Sequence, residues 1–312
     1  MGKALTAVRV KVPATSANLG PGFDCMGLAL GLYLELEVRE EEGNGIALNV
    51  AGEGADTLPR DEKNALCAAV LNVYQRYGCT PRRLCIDYHS SIPLASGLGS
   101  SSAALVAGLA AGDWLCRETY DREQLMRWGV EIEGHPDNIA PCVLGGVVVA
   151  ASDGDHIECN RIEPYAGLRA VVAVPNFPLA TQRARSVLPA QVSRADAVFN
   201  MGRVGLLAAA LGNGRGEWLR LAMQDRLHEP YRRALVPGLE EVREAALGSG
   251  ALGAALSGAG PAVMALVEEG ADGVAAAMQT AWHEVGIAAR TWVLDIERAG
   301  VQITALDESE TA

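Results

Sequence analysis

Pro93-Leu-Ala-Ser-Gly-Leu-Gly-Ser-Ser-Ser-Ala-Ala104 is the stretch on which the reading of this chain turns. It lies between a strand-like run at 85–89 and an alanine-rich run at 103–114 that is expected to be helical. Gly97 and Gly99 let the backbone turn where a Cβ would obstruct it. The serines and the free N–H groups of the first helical turn then face into that turn. Amide donors, hydroxyls and the positive end of a helix dipole converge there, and such a convergence cradles a phosphate. No Gly-Lys-Ser/Thr follows, so this is not a Walker A loop, and Ser102 stands where a dinucleotide fingerprint needs its third glycine. Taken alone, the same turn reads as a helix cap with Ser100, Ser101 or Ser102 at the N-cap.

Three further stretches bear on that choice. Val12-Pro-Ala-Thr-Ser-Ala-Asn-Leu-Gly-Pro-Gly-Phe-Asp24 follows a strand-like run at 8–12 and precedes a longer one at 28–38. Thr15, Ser16, Asn18 and Asp24 set hydrogen-bonding side chains on a loop shaped by Gly20, Pro21 and Gly22, longer than a hairpin requires. Glu131-Ile-Glu-Gly-His-Pro-Asp-Asn138 closes a helix that a capping box at Asp121 and Gln124 is expected to start. Its carboxylates, on a turn broken by Gly134 and Pro136, are hard oxygen ligands of the kind that suits Mg²⁺. Gly250-Ala-Leu-Gly-Ala-Ala-Leu-Ser-Gly-Ala-Gly-Pro-Ala-Val263 reads as a tight hairpin, where a backbone or a ligand comes close.

Composition narrows the function classes. With 312 residues the chain can build two domains, each with its own core. A formal charge of −12 argues against nucleic acid as a partner, which needs a basic footprint. Although 49% of the residues are apolar, no run reaches the length of a membrane span, and the first residues lack the apolar stretch of a secretory leader. Seven cysteines without Cys-x-x-Cys pairs or zinc spacing read as reduced thiols of a cytoplasmic protein.

Periodicity predicts helices at 64–77 and 101–116 in the first half, with strands at 46–51 and 147–151. The second half opens with a buried-type strand at 169–175, followed by helices at 195–211, 218–228 and 239–246. After the hairpin come a helix at 271–286 and strands at 289–296 and 300–305. This pattern is α+β, with helices on one face of an antiparallel sheet. The domains are expected at 1–162 and 163–312, and the acidic end, 306–312, is expected to fray.

The three glycine-rich loops, in this order, resemble the galactokinase–homoserine kinase–mevalonate kinase–phosphomevalonate kinase family over 8–303. Within it, five stretches are similar to the homoserine kinase branch: Ser16-Ala-Asn-Leu-Gly-Pro-Gly-Phe-Asp24, Glu133-Gly-His-Pro-Asp-Asn138, Ala184-Arg-Ser-Val-Leu-Pro189, Glu229-Pro-Tyr-Arg232 with Pro237-Gly238, and Leu256-Ser-Gly-Ala-Gly-Pro261. The resemblance implies a two-domain small-molecule kinase fold. Its N-terminal α/β domain carries a left-handed βαβ-type nucleotide loop, and its C-terminal α+β domain is ferredoxin-like. It also implies ATP-dependent phosphorylation of L-homoserine to O-phospho-L-homoserine in threonine biosynthesis, and a possible homodimer through the C-terminal half.

By the same resemblance, Pro93, Leu94, Ala95, Ser96, Gly97, Leu98, Gly99, Ser100, Ser101, Ser102, Ala103 and Ala104 hold the ATP phosphates, with Ser257, Gly258 and Gly260 packed against them. Ser101 or Ser102 shares Mg²⁺ with Glu133, and Glu131 is the alternative carboxylate. Arg185 and Arg232 match positions that hold the acceptor carboxylate, for which a planar fork of donors is suited. Asn18, Asp24, His135 and Asn138 match those around its ammonium and hydroxyl. Mevalonate kinase-like relatives use an aspartate base with a lysine of the first motif. Here Pro13-Ala-Thr has no lysine and the second motif ends in Asn138, so direct attack with Asn138 orienting the hydroxyl is expected, and Asp137 or Asp24 as base stays open. Two rival readings are a kinase for another small hydroxy acid or amino alcohol, and a non-catalytic nucleotide-binding protein of the same fold.

Overall fold

The computed structural model describes residues 7–153 and 156–306. β1 (Ala7–Ala17) and β2 (Met26–Glu41) pair antiparallel, so Val8, Val10 and Val12 sit opposite Val38, Leu36 and Leu34, all fully buried. Pro13 cannot donate to the ladder, and the register shifts between Pro13 and Ala14. Beyond that bulge the strand is buried on both sides, and Thr15 and Ser16 belong to it rather than to the following loop. β3 (Ile46–Gly52), α1 (Ala65–Tyr77) and β4 (Arg83–Ser90) form a βαβ unit with parallel strands. Asn64 caps α1, its side chain accepting from the Leu66 N–H at 3.0 Å.

α2 (Ser100–Arg117), α3 (Arg122–Glu133) and α4 (Pro136–Leu144) follow, then the hairpin of β5 (Val147–Asp153) and β6 (His156–Ile162). One end of β2 pairs with β5 and the other with β4, which branches a seven-stranded sheet. Asp121 caps α3, accepting from Glu123 N–H at 2.9 Å; its own N–H goes to Asp113, not to Gln124, so no capping box forms. α4, not expected from periodicity, starts because Pro136 is preset for a first helical position.

In the second half come β7 (Arg169–Pro175), α5 (Thr181–Ser186), α6 (Arg194–Asn213), α7 (Leu219–Ala222), α8 (Glu229–Arg232) and α9 (Leu239–Gly248). β8 (Gly253–Leu256), β9 (Val263–Val267), α10 (Ala271–Glu284), β10 (Ala289–Asp295) and β11 (Gln302–Leu306) complete the chain. The sheet β10-β7-β9-β8 is antiparallel throughout, and its fourth-first-third-second order is the ferredoxin-like one. β7 reads as a continuous apolar run because both its faces are buried. Val171 and Ala173 pack with Val242, Met278 and Trp282 of α9 and α10, while Ala170, Val172 and Val174 join the larger core.

β11 pairs with β1, so the last strand of the expected 163–312 domain belongs to the first sheet. Of the helix expected over 218–228 only 219–222 is α-helical, as α7; 223–228 is irregular, and α8 begins beyond it. Asp225 accepts from the N–H groups of Leu227, His228 and Glu229, and Asn200 accepts from that of Arg226, which offers this backbone an alternative to the helix. The end at 307–312 lies outside the described residues.

Candidate functional site

The stretch at 93–104 turns back on itself through three residues with positive φ: Ala95 at 50°, Gly97 at 89° and Gly99 at 68°. A Cβ on Gly97 would lie 2.2 Å from the Ser257 carbonyl oxygen, and one on Gly99 would lie 2.0 Å from Thr15 Oγ1. Glycine is therefore required for close approach as much as for dihedral freedom. The first and third glycine-rich loops fasten this turn: Thr15 N–H donates to Leu98 O (3.1 Å), Ser257 Oγ to Gly97 O (2.8 Å), and Ala262 N–H to Ser96 O (2.9 Å).

α2 begins at Gly99 as N-cap, with no side-chain hydrogen bond, so Ser100, Ser101 and Ser102 are first-turn residues rather than caps. The first-turn amides of α2 stay open to the cleft that these serines line. Ser101 is exposed and Ser102 buried, its hydroxyl 3.2 Å from Glu133 Oε1. Glu133 ends α3 and lines the same cleft. Glu131 points elsewhere, 2.9 Å from Arg76 on the outer surface, and that hydrogen bond lowers its pKa.

At the other end of the cleft the first motif is held in an unusual conformation, with Asn18 at φ 70°, Leu19 at 49° and Asp24 at 56°. Asn18 donates to Gly258 O (2.9 Å) and accepts from the Asp24 N–H (3.0 Å), joining the first loop to the third. The Asp24 carboxylate takes both terminal nitrogens of Arg185, at 2.7 and 3.0 Å. That hydrogen bond is the main reason the Arg185 pKa is raised.

Arg232, on α8, is 2% exposed. Its Nε donates to Ala184 O (3.2 Å), and its Nη1 to Gly258 O (3.0 Å) and to His228 Nδ1 (3.1 Å). Burial and the like charge of Arg185 lower its pKa. The Phe23 ring lies 5.6 Å from the Arg185 guanidinium and 5.4 Å from that of Arg232, so a π-face serves both cations.

The second motif supplies His135, Asp137 and Asn138 from the start of α4. His135 Nδ1 is 2.6 Å from Asp137 Oδ1. Burial opposes charge on this imidazole, yet the hydrogen bond and charge of Asp137 outweigh it and the pKa is raised. Asn138 Oδ1 accepts from Thr15 Oγ1 at 2.8 Å. Asp24, His135 and Asp137 offer oxygen and nitrogen atoms within 4.8 Å of one another.

Asn18, Asp24, Glu133, His135, Asp137, Asn138, Arg185, Arg232, Gly258, Gly260 and the residues 95–97 and 99–102 thus line one cleft of about 660 Å³. Ser257 lies just behind it, fully buried, its hydroxyl bonded to Ser16 and Gly97. Reading the sequence missed Phe23 and His228, and gave Thr15 no partner. For His228 the available signal was its spacing, four residues before Arg232 in a helical turn; for Thr15 nothing in the sequence points to a contact 123 positions away.

What matters for chemistry is that the two ends share one cleft. A phosphate bound at the start of α2 would lie in the same cleft as a small molecule bound at the arginines, and transfer between them would need positioning and charge neutralisation above all. The fold and site are those of a small-molecule kinase. Residues 64–146 match the family model for the GHMP kinases N terminal domain, and residues 207–284 that for GHMP kinases C terminal. A homoserine kinase of Microchaete diplosiphon is 44% identical over 297 residues, covering 95% of this chain and 97% of its own. That of Moorella thermoacetica is 44% identical over 278 residues, 89% and 93% of the two chains. The crystal structure of homoserine kinase from Cytophaga hutchinsonii has a TM-score of 0.88 at 31% identity, covering 97% of this chain and 99% of that one. Mevalonate kinase of L. major, 17% identical with a TM-score of 0.68, shares the fold. The chain belongs to the GHMP kinase family, among its homoserine kinases.

Proposed function

We propose that this protein transfers the γ-phosphoryl group of ATP to the side-chain hydroxyl of L-homoserine, giving O-phospho-L-homoserine and ADP. The observation that carries this reading is the paired charge of Asp24 with Arg185, beside Arg232, in the cleft that opens onto α2. A zwitterionic acceptor replaces that pairing without stranding either charge: its ammonium takes Asp24, with Asn18 and His135 nearby, and its carboxylate takes Arg185 and Arg232. A mevalonate-like acid would leave Asp24 without a cation.

Residues 93–104 wrap the ATP phosphates, and Ser257, Gly258 and Gly260 brace that loop from behind. Ser102 and Glu133 present hard oxygens 3.2 Å apart and fit Mg²⁺, whereas Glu131 is occupied by Arg76. When bound there, Mg²⁺ neutralises charge on the phosphates. Of the two candidate bases, Asp137 is engaged by His135 and Asp24 by Arg185, so neither carboxylate is aimed at the acceptor hydroxyl. Direct attack is therefore favoured. Asn138, its carbonyl held by Thr15 and one amide N–H directed at Asp137 Oδ1 (3.4 Å), has its second N–H to orient the acceptor hydroxyl, and the proton leaves through the phosphate or solvent. Seven free cysteines suit a reducing, cytoplasmic setting.

A coupled ADP-release assay with Mg²⁺-ATP against homoserine, threonine, serine and mevalonate tests this directly. Selective turnover of homoserine is expected. Preference for mevalonate, or ATP binding without turnover of any acceptor, would replace this reading with one of its rivals.

A further inference from the structure

Beneath the Arg232 end of the cleft lies a histidine that is not among the residues lining it. His228 is fully buried at the N-cap of α8, one turn before Arg232. Its Nε2 is 2.8 Å from Gly20 O, an atom that can only accept, so Nε2 carries the proton. Nδ1 is then a lone-pair acceptor, and Arg232 Nη1 donates to it at 3.1 Å. The ring also packs against Phe23 at 5.3 Å, the residue before Asp24. Burial lowers its pKa against the opposing charge of Asp225, 3.7 Å from Nε2, in keeping with the neutral ring that the Arg232 hydrogen bond to Nδ1 requires.

We propose that His228 is the positioning residue that aims Arg232 at the acceptor carboxylate and ties it to the loop that carries Asp24. The inference rests on the homoserine reading above. Three fixed contacts hold Arg232: Ala184 O on Nε, and Gly258 O with His228 on Nη1. Among the described residues, Nη2 has no hydrogen-bond partner, and Arg232 lines the cleft. The backbone carbonyls come with the fold, whereas the imidazole is the side-chain contact that sets the fork's rotation. It is also a two-ended link, accepting from the carboxylate-binding arginine and donating to the loop that presents the ammonium-binding carboxylate. Loss of the acceptor leaves one buried N–H of Nη1 unpaired and only the two backbone carbonyls to hold the fork.

The test is a steady-state comparison of wild type, His228→Gln and His228→Asn with Mg²⁺-ATP. The acceptor is L-homoserine; 3-aminopropan-1-ol, the same molecule without its carboxylate, is the competing probe. Asn keeps an acceptor near the Nδ1 position, while Gln reaches toward Gly20 and gives up Arg232. We expect His228→Gln to raise KM for homoserine about 10-fold or more while kcat changes by about 3-fold at most. KM for ATP and inhibition by 3-aminopropan-1-ol should stay at wild-type values, and His228→Asn should recover most of the loss. An equal loss against all three ligands, a wild-type KM in His228→Gln, or an Asn variant no better than Gln overturns the proposal. A second measurement on the unmutated enzyme is independent of variant folding: ¹⁵N shifts of His228 should report an Nε2–H imidazole that responds to homoserine and not to 3-aminopropan-1-ol. An Nδ1–H form, or equal responses, contradicts it. Wild-type turnover of homoserine in the same assay keeps the functional reading separate, because its absence would fail that reading first.

Discussion

Asp24 and Arg185 make a two-point ion pair, 2.7 and 3.0 Å, between the first glycine-rich loop and α5. Each is the counter-charge the other needs in this cleft, and each matches one pole of an amino-acid zwitterion. Asp24→Asn and Arg185→Leu should therefore both raise KM for homoserine, by about 30-fold or more, with KM for ATP within about 2-fold of wild type. Steady-state kinetics with each substrate varied in turn checks this. A loss of kcat alone in Asp24→Asn would instead make Asp24 the base.

Glu133 and Glu131 stand two residues apart on α3 and face different surroundings, one toward Ser102 and the other toward Arg76. Glu133→Gln should lower kcat about 100-fold, since it removes a charged oxygen from the proposed Mg²⁺ site. Glu131→Gln should leave kcat within about 2-fold, because it breaks only an exposed ion pair. Rates measured across a Mg²⁺ titration distinguish the two.

Gly99 has no room for a methyl group, with Thr15 Oγ1 only 2.0 Å from the position of a Cβ. Gly99→Ala should push the phosphate loop away from β1, lowering stability by about 1–3 kcal/mol and raising KM for ATP more than KM for homoserine. Thermal unfolding and ATP-dependent kinetics measure both effects.

Thr15 holds the Asn138 carbonyl at 2.8 Å, and the Asn138 amide, 3.4 Å from Asp137 Oδ1, keeps its second N–H for the proposed acceptor. Thr15→Val keeps the volume and removes the donor. A fall in kcat of about 10-fold with little change in either KM is expected if Asn138 orients the attacking hydroxyl.

Glu229 is buried, and burial, reinforced by Asp225, pushes its pKa up to about 7. It nevertheless holds β8, accepting from Leu256 N–H at 2.7 Å. Because the folded state keeps this proton longer than the unfolded chain, folding is relatively less favourable as pH rises from about 4.5 to about 7. Glu229→Gln removes that ionisation. The difference in unfolding free energy between variant and wild type should shift in the variant's favour across this window, by on the order of 3 kcal/mol. Denaturant melts at pH 5 and pH 7.5 read the change.

The cleft was legible in the sequence where chemistry is confined to short stretches. Gly97, Gly99 and the three serines mark a turn that alone reads as a helix cap, and the neighbouring motifs turn that reading toward a phosphate. The periods of strands and helices give α+β, while the ferredoxin-like order was implied by the family resemblance. Residues that work through distant contacts were not legible. Ser102 and Glu133 are 31 positions apart and Thr15 and Asn138 are 123 apart, so these contacts follow only from the packing of α2 on α3 and of α4 on β1. The break between α7 and α8 escaped for a similar reason. Asp225 and Asn200 draw that backbone out of a helix through side-chain bonds that no local propensity records. The return of β11 to the first sheet is a long-range pairing with β1.

Transfer of the phosphoryl group to the side-chain oxygen of homoserine is read by phosphorus NMR of a reaction containing Mg²⁺-ATP and L-homoserine. One new phosphomonoester resonance, coupled to the γ-methylene protons of homoserine, is expected in step with ADP. Inorganic phosphate as the sole product, or an acyl phosphate on the carboxylate, would contradict it.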